Sequence, residues 1–189
     1  MQKVRRSNNS REAILDAAQK VAVEKGAAKV SLDSVAKEAG LTKGGVLYNF
    51  PSKEALVSGM LERLMATYTP RINAHSIKLA KQANPTLQSV IHVISELEEI
   101  NHNIPMAILA ATAHNPELLK PLREEKEQRY AKICQETLTK NTRATDDATL
   151  LWAASEGLML LDMLGLLPFG SDKKTHLLEV LETKAKESF

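Results

Sequence analysis

Ser31 to Glu54, SLDSVAKEAGLTKGGVLYNFPSKE, is the stretch from which the rest of the chain is read. Ser31 is placed to cap a helix whose apolar Leu32, Val35, Ala36 and Ala39 recur at helical spacing, and Gly40 suits a left-handed stop. Only Leu41 separates that stop from Thr42, a second capping residue. Two helices must therefore meet at a steep angle across a turn of about three to four residues, with Leu41 expected to plug the corner. The second helix, Lys43 to Asn49, is expected to send Val46, Leu47 and Phe50 inward. Thr42, Lys43, Gly44, Gly45, Tyr48 and Asn49 are then left towards solvent.

A helix, a tight turn and a polar second helix form a unit that fits the major groove, which admits one helix and offers donor and acceptor edges. Gly44 and Gly45 are out of place in a helix kept for stability, since each costs up to about 1 kcal/mol relative to Ala. Bare backbone there allows close approach to a nucleic acid. Pro51 ends the helix and Ser52 caps the next one, whose N–H groups, with Lys53 and Glu54 in the first turn, suit a phosphate oxygen. Ser31, Thr42, Lys43, Gly44, Gly45, Tyr48, Asn49 and Lys53 form the expected DNA-binding set.

The run VSLDSVAKEAGLTKGGVLYNFPSKEAL resembles the DNA-binding segment of the TetR (tetracycline-repressor) family of bacterial transcriptional regulators. The shared features are a small-residue turn, a Gly near the start of the recognition helix, a Tyr-x-x-Phe-like end and Ser-Lys-Glu after it. They lie within the first third of the chain. The resemblance implies phosphate contacts from Thr42, Tyr48 and Lys53, and base or backbone contacts from Lys43, Gly44 and Asn49. Asn49 departs from the family pattern, which often has His there.

The chain has 189 residues, 43% hydrophobic and 4% aromatic, enough for one small module and a larger helical body. Alternating β-branched or aromatic runs are absent, which favours helices over sheet. The fold class expected is all-α: an N-terminal three-helix DNA-binding domain over 1–51 and a larger helical effector-binding and dimerisation domain over 52–189. Net charge is only +2, but residues 1–60 hold ten Lys or Arg against six Asp or Glu. The basic surplus thus sits on the proposed DNA module. A single Cys, Cys134, cannot form an internal disulfide. With no signal peptide or membrane span legible, a cytoplasmic protein without membrane contact is expected.

Along the chain, the polar and basic start, with Lys3, Arg5 and Arg6, reads either as an arm for a minor groove or as a solvated tail. Asn9 and Glu12 make a capping-box-like start to a helix ending at Gly26, with Ile14, Leu15, Ala18, Val21 and Ala22 inward. The helix after Ser52 is expected to kink or break at Pro70. Asn84-Pro85 opens another through about Asn103, and a short apolar one runs from Met106 to His114. A charged helix follows Asn115-Pro116-Glu117. Thr145-Asp146-Asp147 starts the most hydrophobic helix, reaching Leu167, and Asp172 to Lys186 forms the last. Apolar side chains surround the penultimate helix, so one face needs a partner. Leu158, Leu161, Met163 and Leu166, with Leu177, Leu178 and Leu181, are expected to pair with their copies in a four-helix homodimer interface.

The resemblance also implies a one-component sensor that binds DNA and a small, apolar or amphipathic effector in one chain. Met60, Leu64, Ile91, Ile94, Leu97, Met106, Leu109, Trp152, Glu156 and Met159 are the residues placed to line its cavity, although the aliphatic ones taken alone read as packed core. Glu156 favours a cavity, because an unpaired buried carboxylate is unfavourable; pairing with Arg or Lys across a dimer is the alternative. The expectation is a DNA-binding regulator, a repressor released from a palindromic operator by its effector, with no cofactor and no enzymatic activity. Two other readings stay open. One is a metal-binding bundle or enzyme using His92, Glu96, Glu98, Glu99 and His102, though Glu-x-x-His occurs once where a di-iron bundle needs it twice. The other is a constitutive DNA-binding protein with no effector.

Overall fold

A computed structural model describes residues 2–96, 103–113, 115–137 and 142–187, with side chains from Ser10 onward apart from Asn103 and Thr142. Among the described residues there are nine α-helices and no strand: α1 Gln2–Lys25, α2 Leu32–Ala39, α3 Lys43–Asn49, α4 Lys53–Lys78, α5 Pro85–Ser95, α6 Asn103–Thr112, α7 Lys120–Thr137, α8 Thr142–Met163 and α9 Ser171–Lys186. The all-α expectation is met. Two compact units emerge, residues 1–65 with 101–121 and residues 66–100 with 122–189.

In the first unit α1 packs against α2, α3 and α6. Its inner stripe of Ile14, Leu15, Ala18, Val21 and Ala22 is fully buried, as are Val35, Val46 and Leu56. Helix α1 starts at Gln2 instead of near Asn9. No Gly or Pro lies between Gln2 and Asn9, and Lys3, Arg5 and Arg6 are good helix formers, so nothing stops the helix there. Glu38 of α2 ties the two helices by accepting from Lys20 at 2.7 Å and Lys25 at 2.9 Å. Those two hydrogen bonds, Lys20 first, hold its carboxyl at about 2.

Gly59 decides how α4 meets the same core. A Cβ there would stand 2.6 Å from Phe50 Cε1 and 3.3 Å from Leu15 Cδ2, so only a glycine lets the helix lie against the buried Phe50 ring. The Arg11 guanidinium lies over Phe50 at 5.2 Å from the ring centre and reaches Glu62 of α4 at 2.8 Å, while Arg63 of α4 reaches Asp16 of α1 at 2.5 Å. Ala107 and Ile108 of α6 are also buried, and α6 packs on α1 and on the 3-10 turn Ala27–Lys29.

The second unit is built on α5, which packs against α8 and α9. Two clusters fill it. One comprises Ile72, Val90, Val93, Ile94 and Leu178, with Tyr68, Trp152, Leu158, Met159 and Leu181 against it; the other comprises Leu87, Ile91, Ile133, Ala148 and Ala185. Helix α4 continues through Pro70 without the break expected from the sequence. Tyr68 and Ile72 dock into one cluster on either side of the proline, and packing of that kind outweighs one lost hydrogen bond. Pro105 is likewise accommodated in the first turn of α6, where its missing N–H is harmless, so that helix starts at Asn103 instead of Met106. Helix α8 starts at Thr142, ahead of the Thr145 start read from the sequence.

Helix α5 is capped from outside. Asn84 takes a left-handed conformation, φ 49°, and its side chain donates to the carbonyls of Ala185 at 3.2 Å and Glu187 at 3.4 Å. The first turn is served instead by Glu136 of α7, which accepts from Thr86 N at 3.0 Å and from Thr86 Oγ1 at 2.5 Å.

Gly59→Ala should therefore destabilise the protein by about 1–3 kcal/mol in urea unfolding, the overpacking at Phe50 outweighing alanine's better helix propensity. A neutral or stabilising effect would contradict this packing. Glu38, with its folded value below the ordinary 4.5, supports folding above pH 4.5 and loses that support as pH falls towards about 2. Glu38→Gln should flatten the stability profile across that window; an unchanged acid limb would show that the Lys20 and Lys25 bonds do not contribute.

Candidate nucleic-acid interface

Helix α2 begins with a reciprocal cap in which Ser34 N donates to Ser31 Oγ at 3.1 Å and Ser31 N donates to Ser34 Oγ at 3.0 Å. It ends at Gly40 in the left-handed conformation, φ 65°, with Gly40 N directed to Lys37 O at 3.4 Å and Leu41 N to Ala36 O at 2.9 Å. That paired closure is the Schellman motif. Thr42 then caps α3 by accepting from Gly45 N at 3.1 Å. One residue lies between the left-handed stop and the new cap, so the angle between α2 and α3 is set by backbone hydrogen bonds.

On α3, Val46 and Phe50 are buried and fasten the helix. Leu47 does not join them and is 36% exposed, because Val46 and Phe50, one turn apart, already occupy the inward face of this seven-residue helix. Leu41 is 39% exposed and does not plug the corner, which the hydrogen bonds close without it. Tyr48 is 80% exposed, far more than is usual for an aromatic side chain.

The expected DNA-facing residues divide by what their polar atoms are doing. The Ser31 hydroxyl is engaged in its cap, and the half-buried Asn49 donates its amide back to Gly45 O at 3.1 Å. Lys43 is exposed and paired with Asp33 of α2 at 3.0 Å. Gly44 is exposed, Gly45 half-buried, and neither has a positive φ. A Cβ on Gly44 would come no nearer than 3.9 Å to Thr42 Oγ1, and one on Gly45 no nearer than 3.5 Å to the same atom. The fold itself thus has room for side chains at both positions.

At the start of α4, Ser52 Oγ accepts from Ala55 N at 3.1 Å. Glu54's own backbone N–H and then the Ser52 hydroxyl, with Lys53 alongside, hold the Glu54 carboxyl below its usual range. The N–H groups of Glu54 and Ala55 are thus already engaged, and the exposed Lys53 side chain is the positive charge in the first turn of α4.

The residues expected to line a cavity are distributed over both units. Met60, Leu64, Met106 and Leu109 lie in the first; Ile91, Ile94, Trp152, Glu156 and Met159 lie in the second; Leu97 falls outside the described residues. Ile94, Trp152 and Met159 share one cluster, Ile91 belongs to the other, and Met60 is fully buried in the core of its own unit. Glu156 is not an orphan carboxylate: Lys126 of α7 reaches it at 2.5 Å within the same chain. The orphan is instead Trp152, whose buried Nε1 has no hydrogen-bond partner among the described residues, while its ring tilts against Tyr130 at 5.3 Å.

Of the residues expected at a subunit interface, Leu178 is buried and Leu158 and Leu181 pack into the chain's own clusters, while Leu177 and Met163 are half-buried. Leu166 is 62% exposed and Leu161 40%, and they are joined by exposed Leu150, Leu160 and Leu164 and by exposed Ala153 and Ala154 on α8. The sequence reading missed Leu150, the most exposed of the leucines at 67%.

Among the described residues no group of three or more His, Cys, Asp or Glu could hold a metal ion. His92 stacks on His75 at 4.2 Å between ring centres and bonds Glu96 at 3.2 Å, an arrangement in which the rings lie parallel and do not converge on a point. Glu98, Glu99 and His102 lie outside the described residues. No described helix is long and apolar enough to cross a membrane.

Solved structures share this fold. A transcriptional regulator from Rhodococcus sp. Rha1 superposes with a TM-score of 0.71 at 21% identity, covering 93% of this chain and 95% of that one. A Saccharomonospora viridis protein solved in complex with choline gives 0.72 at 19% identity, over 92% and 95%. The multidrug binding protein EbrR complexed with malachite green gives 0.67 at 24% identity, over 90% and 96%. A search of curated proteins gives no significant match. The family described as "Bacterial regulatory proteins, tetR family" matches residues 14–60, and "Tetracyclin repressor-like, C-terminal domain" matches residues 84–186. With both segments accounted for, the chain belongs to the TetR family of bacterial transcriptional regulators.

Proposed function

We propose that the protein is a homodimeric repressor that holds two copies of α3 in successive major grooves of a palindromic operator and lets go when a small molecule binds its second unit. The observation that carries the DNA-facing assignment is the outer surface of α3, where an 80% exposed Tyr48 stands beside two glycines whose missing side chains the fold does not require. Exposed aromatic area and weakened helix propensity are both unfavourable in a free protein, and both are accounted for by a partner pressed against that surface. Thr42, Tyr48 and Lys53 serve the phosphates. Lys43, Gly44 and Gly45 lie against base edges or backbone, while Ser31 and Asn49 act through the caps and helix they hold.

Pairing of subunits is supported by the exposed leucine and alanine surface of α8 and the turn that follows it, from Leu150 to Leu166. A contiguous apolar face of that kind marks an association surface, and self-pairing matches the two-fold symmetry of a palindrome. Two recognition helices about 34–36 Å apart would meet one turn of DNA. Small-molecule control is supported by the unpartnered Trp152 Nε1 among apolar neighbours in the second unit. It is supported too by relatives of similar fold that were solved with choline and malachite green. An apolar or amphipathic effector favouring another separation of the recognition helices would release the operator to the extent of its differential affinity for the two states.

The test uses a duplex selected by the wild-type protein from a random-sequence library. Tyr48→Ala and Lys53→Ala should each weaken binding by about tenfold or more, and Lys53→Ala should reduce the salt dependence by about one phosphate contact. Undiminished affinity in both variants would remove this surface from the function. Gly44→Ala should separate stability from binding: unfolding stability rises by up to about 1 kcal/mol while affinity falls at least about tenfold. A Gly44→Ala protein that is more stable and binds equally well would mean that nothing approaches α3 closely.

A further inference from the structure

The ion pair between Lys43 and Asp33 is not needed to hold α2 against α3. Lys43 Nζ lies 3.0 Å from Asp33 Oδ1 and 3.1 Å from Oδ2, but both side chains are well exposed, and exposed pairs contribute little to stability. The turn between the helices is already closed by the Gly40 and Thr42 hydrogen bonds. What the pair does is place a carboxylate on a surface otherwise suited to polyanions, opposite the first residue of α3. Residues at the start of a recognition helix are those that reach base edges.

We propose that Asp33 is a specificity-determining residue that withholds the Lys43 charge from indiscriminate phosphate contact. This rests on Lys43 facing DNA, as read above. Affinity for arbitrary duplex is governed by how many cations displace counterions from the phosphates, and a lysine neutralised by a carboxylate counts for less. Affinity for the cognate site depends additionally on shape and on hydrogen bonds to bases, which do not scale with charge. The Asp33–Lys43 pair therefore lowers the first more than the second.

The experiment compares wild type, Asp33→Asn, Lys43→Gln and the double variant on a random-sequence duplex of about 20 base pairs and on the library-selected duplex, across a salt series. Asp33→Asn should tighten random-sequence binding about twofold to fivefold and steepen its salt dependence by up to about 0.9 in log–log slope, with a smaller gain on the selected duplex. In the Lys43→Gln background the same change should have little effect. Unchanged random-sequence affinity and slope would overturn the proposal. So would an equal gain in the Lys43→Gln background, which would make Asp33 a lone repulsive charge. Asp33→Ser, which also removes the carboxylate at the start of α2, must reproduce Asp33→Asn for the effect to be electrostatic. A wild-type protein that binds neither duplex would instead defeat the functional reading itself, a result distinct from selective failure of the Asp33 variants.

Discussion

The turn from Gly40 to Thr42 is the constraint on which the rest depends. A left-handed glycine lets the chain reverse out of α2, the Leu41 N–H closes onto Ala36, and Thr42 immediately receives Gly45 N. With every step of the reversal hydrogen-bonded, α3 leaves α2 at a fixed angle although it is only seven residues long. A helix of that length has little stability of its own. Its direction comes from the turn and its hold on the unit from two side chains, Val46 and Phe50.

Because α3 contributes so little packing, the elements around it carry the load. The buried side chains of Ile14 and Leu15 on α1, Val35 on α2 and Leu56 on α4 do this, while the ion pairs of Glu38, Arg11 and Arg63 lie at the more exposed rim and add less. Gly59 allows α4 to come close enough to cover Phe50, the residue that ends α3. The outer surface of α3 is thereby relieved of any structural duty. Polar and backbone groups can then be presented there at the expense of helix propensity.

The second unit follows another logic. Its helices borrow their ends from one another, with Glu136 of α7 serving the start of α5 and Asn84 closing the carbonyls at the end of α9. Lys126 pairs with Glu156, and among the described residues the buried polar group left unserved along α8 is the indole N–H of Trp152. The same helix presents its other side, with Leu150, Ala153, Ala154, Leu160 and Leu161 exposed, without cover from its own unit. Helix α8 thus has one face in the core of its unit and one apolar face bare.

Much of this was legible in the residues themselves. Local features made it so: Ser31, Gly40, Thr42 and Ser52 act on neighbours two to five positions away, and the inward stripe of α1 repeats at the helical period. The all-helical class and the two-helix reversal depend only on such short-range rules, which is why the sequence by itself determined them. Tertiary structure decided the rest. Pro70 stays within a helix because Tyr68 and Ile72 are held by side chains distant in sequence, and Glu156 is paired because α7 happens to bring Lys126 alongside. Leu47 is left outside because Val46 and Phe50 occupy the inward face, and Gly59 matters only because the Phe50 ring arrives opposite it. The division follows from range: hydrogen bonds of caps and turns are completed within a few residues, whereas burial, ion pairing and close approach depend on what another part of the chain places there.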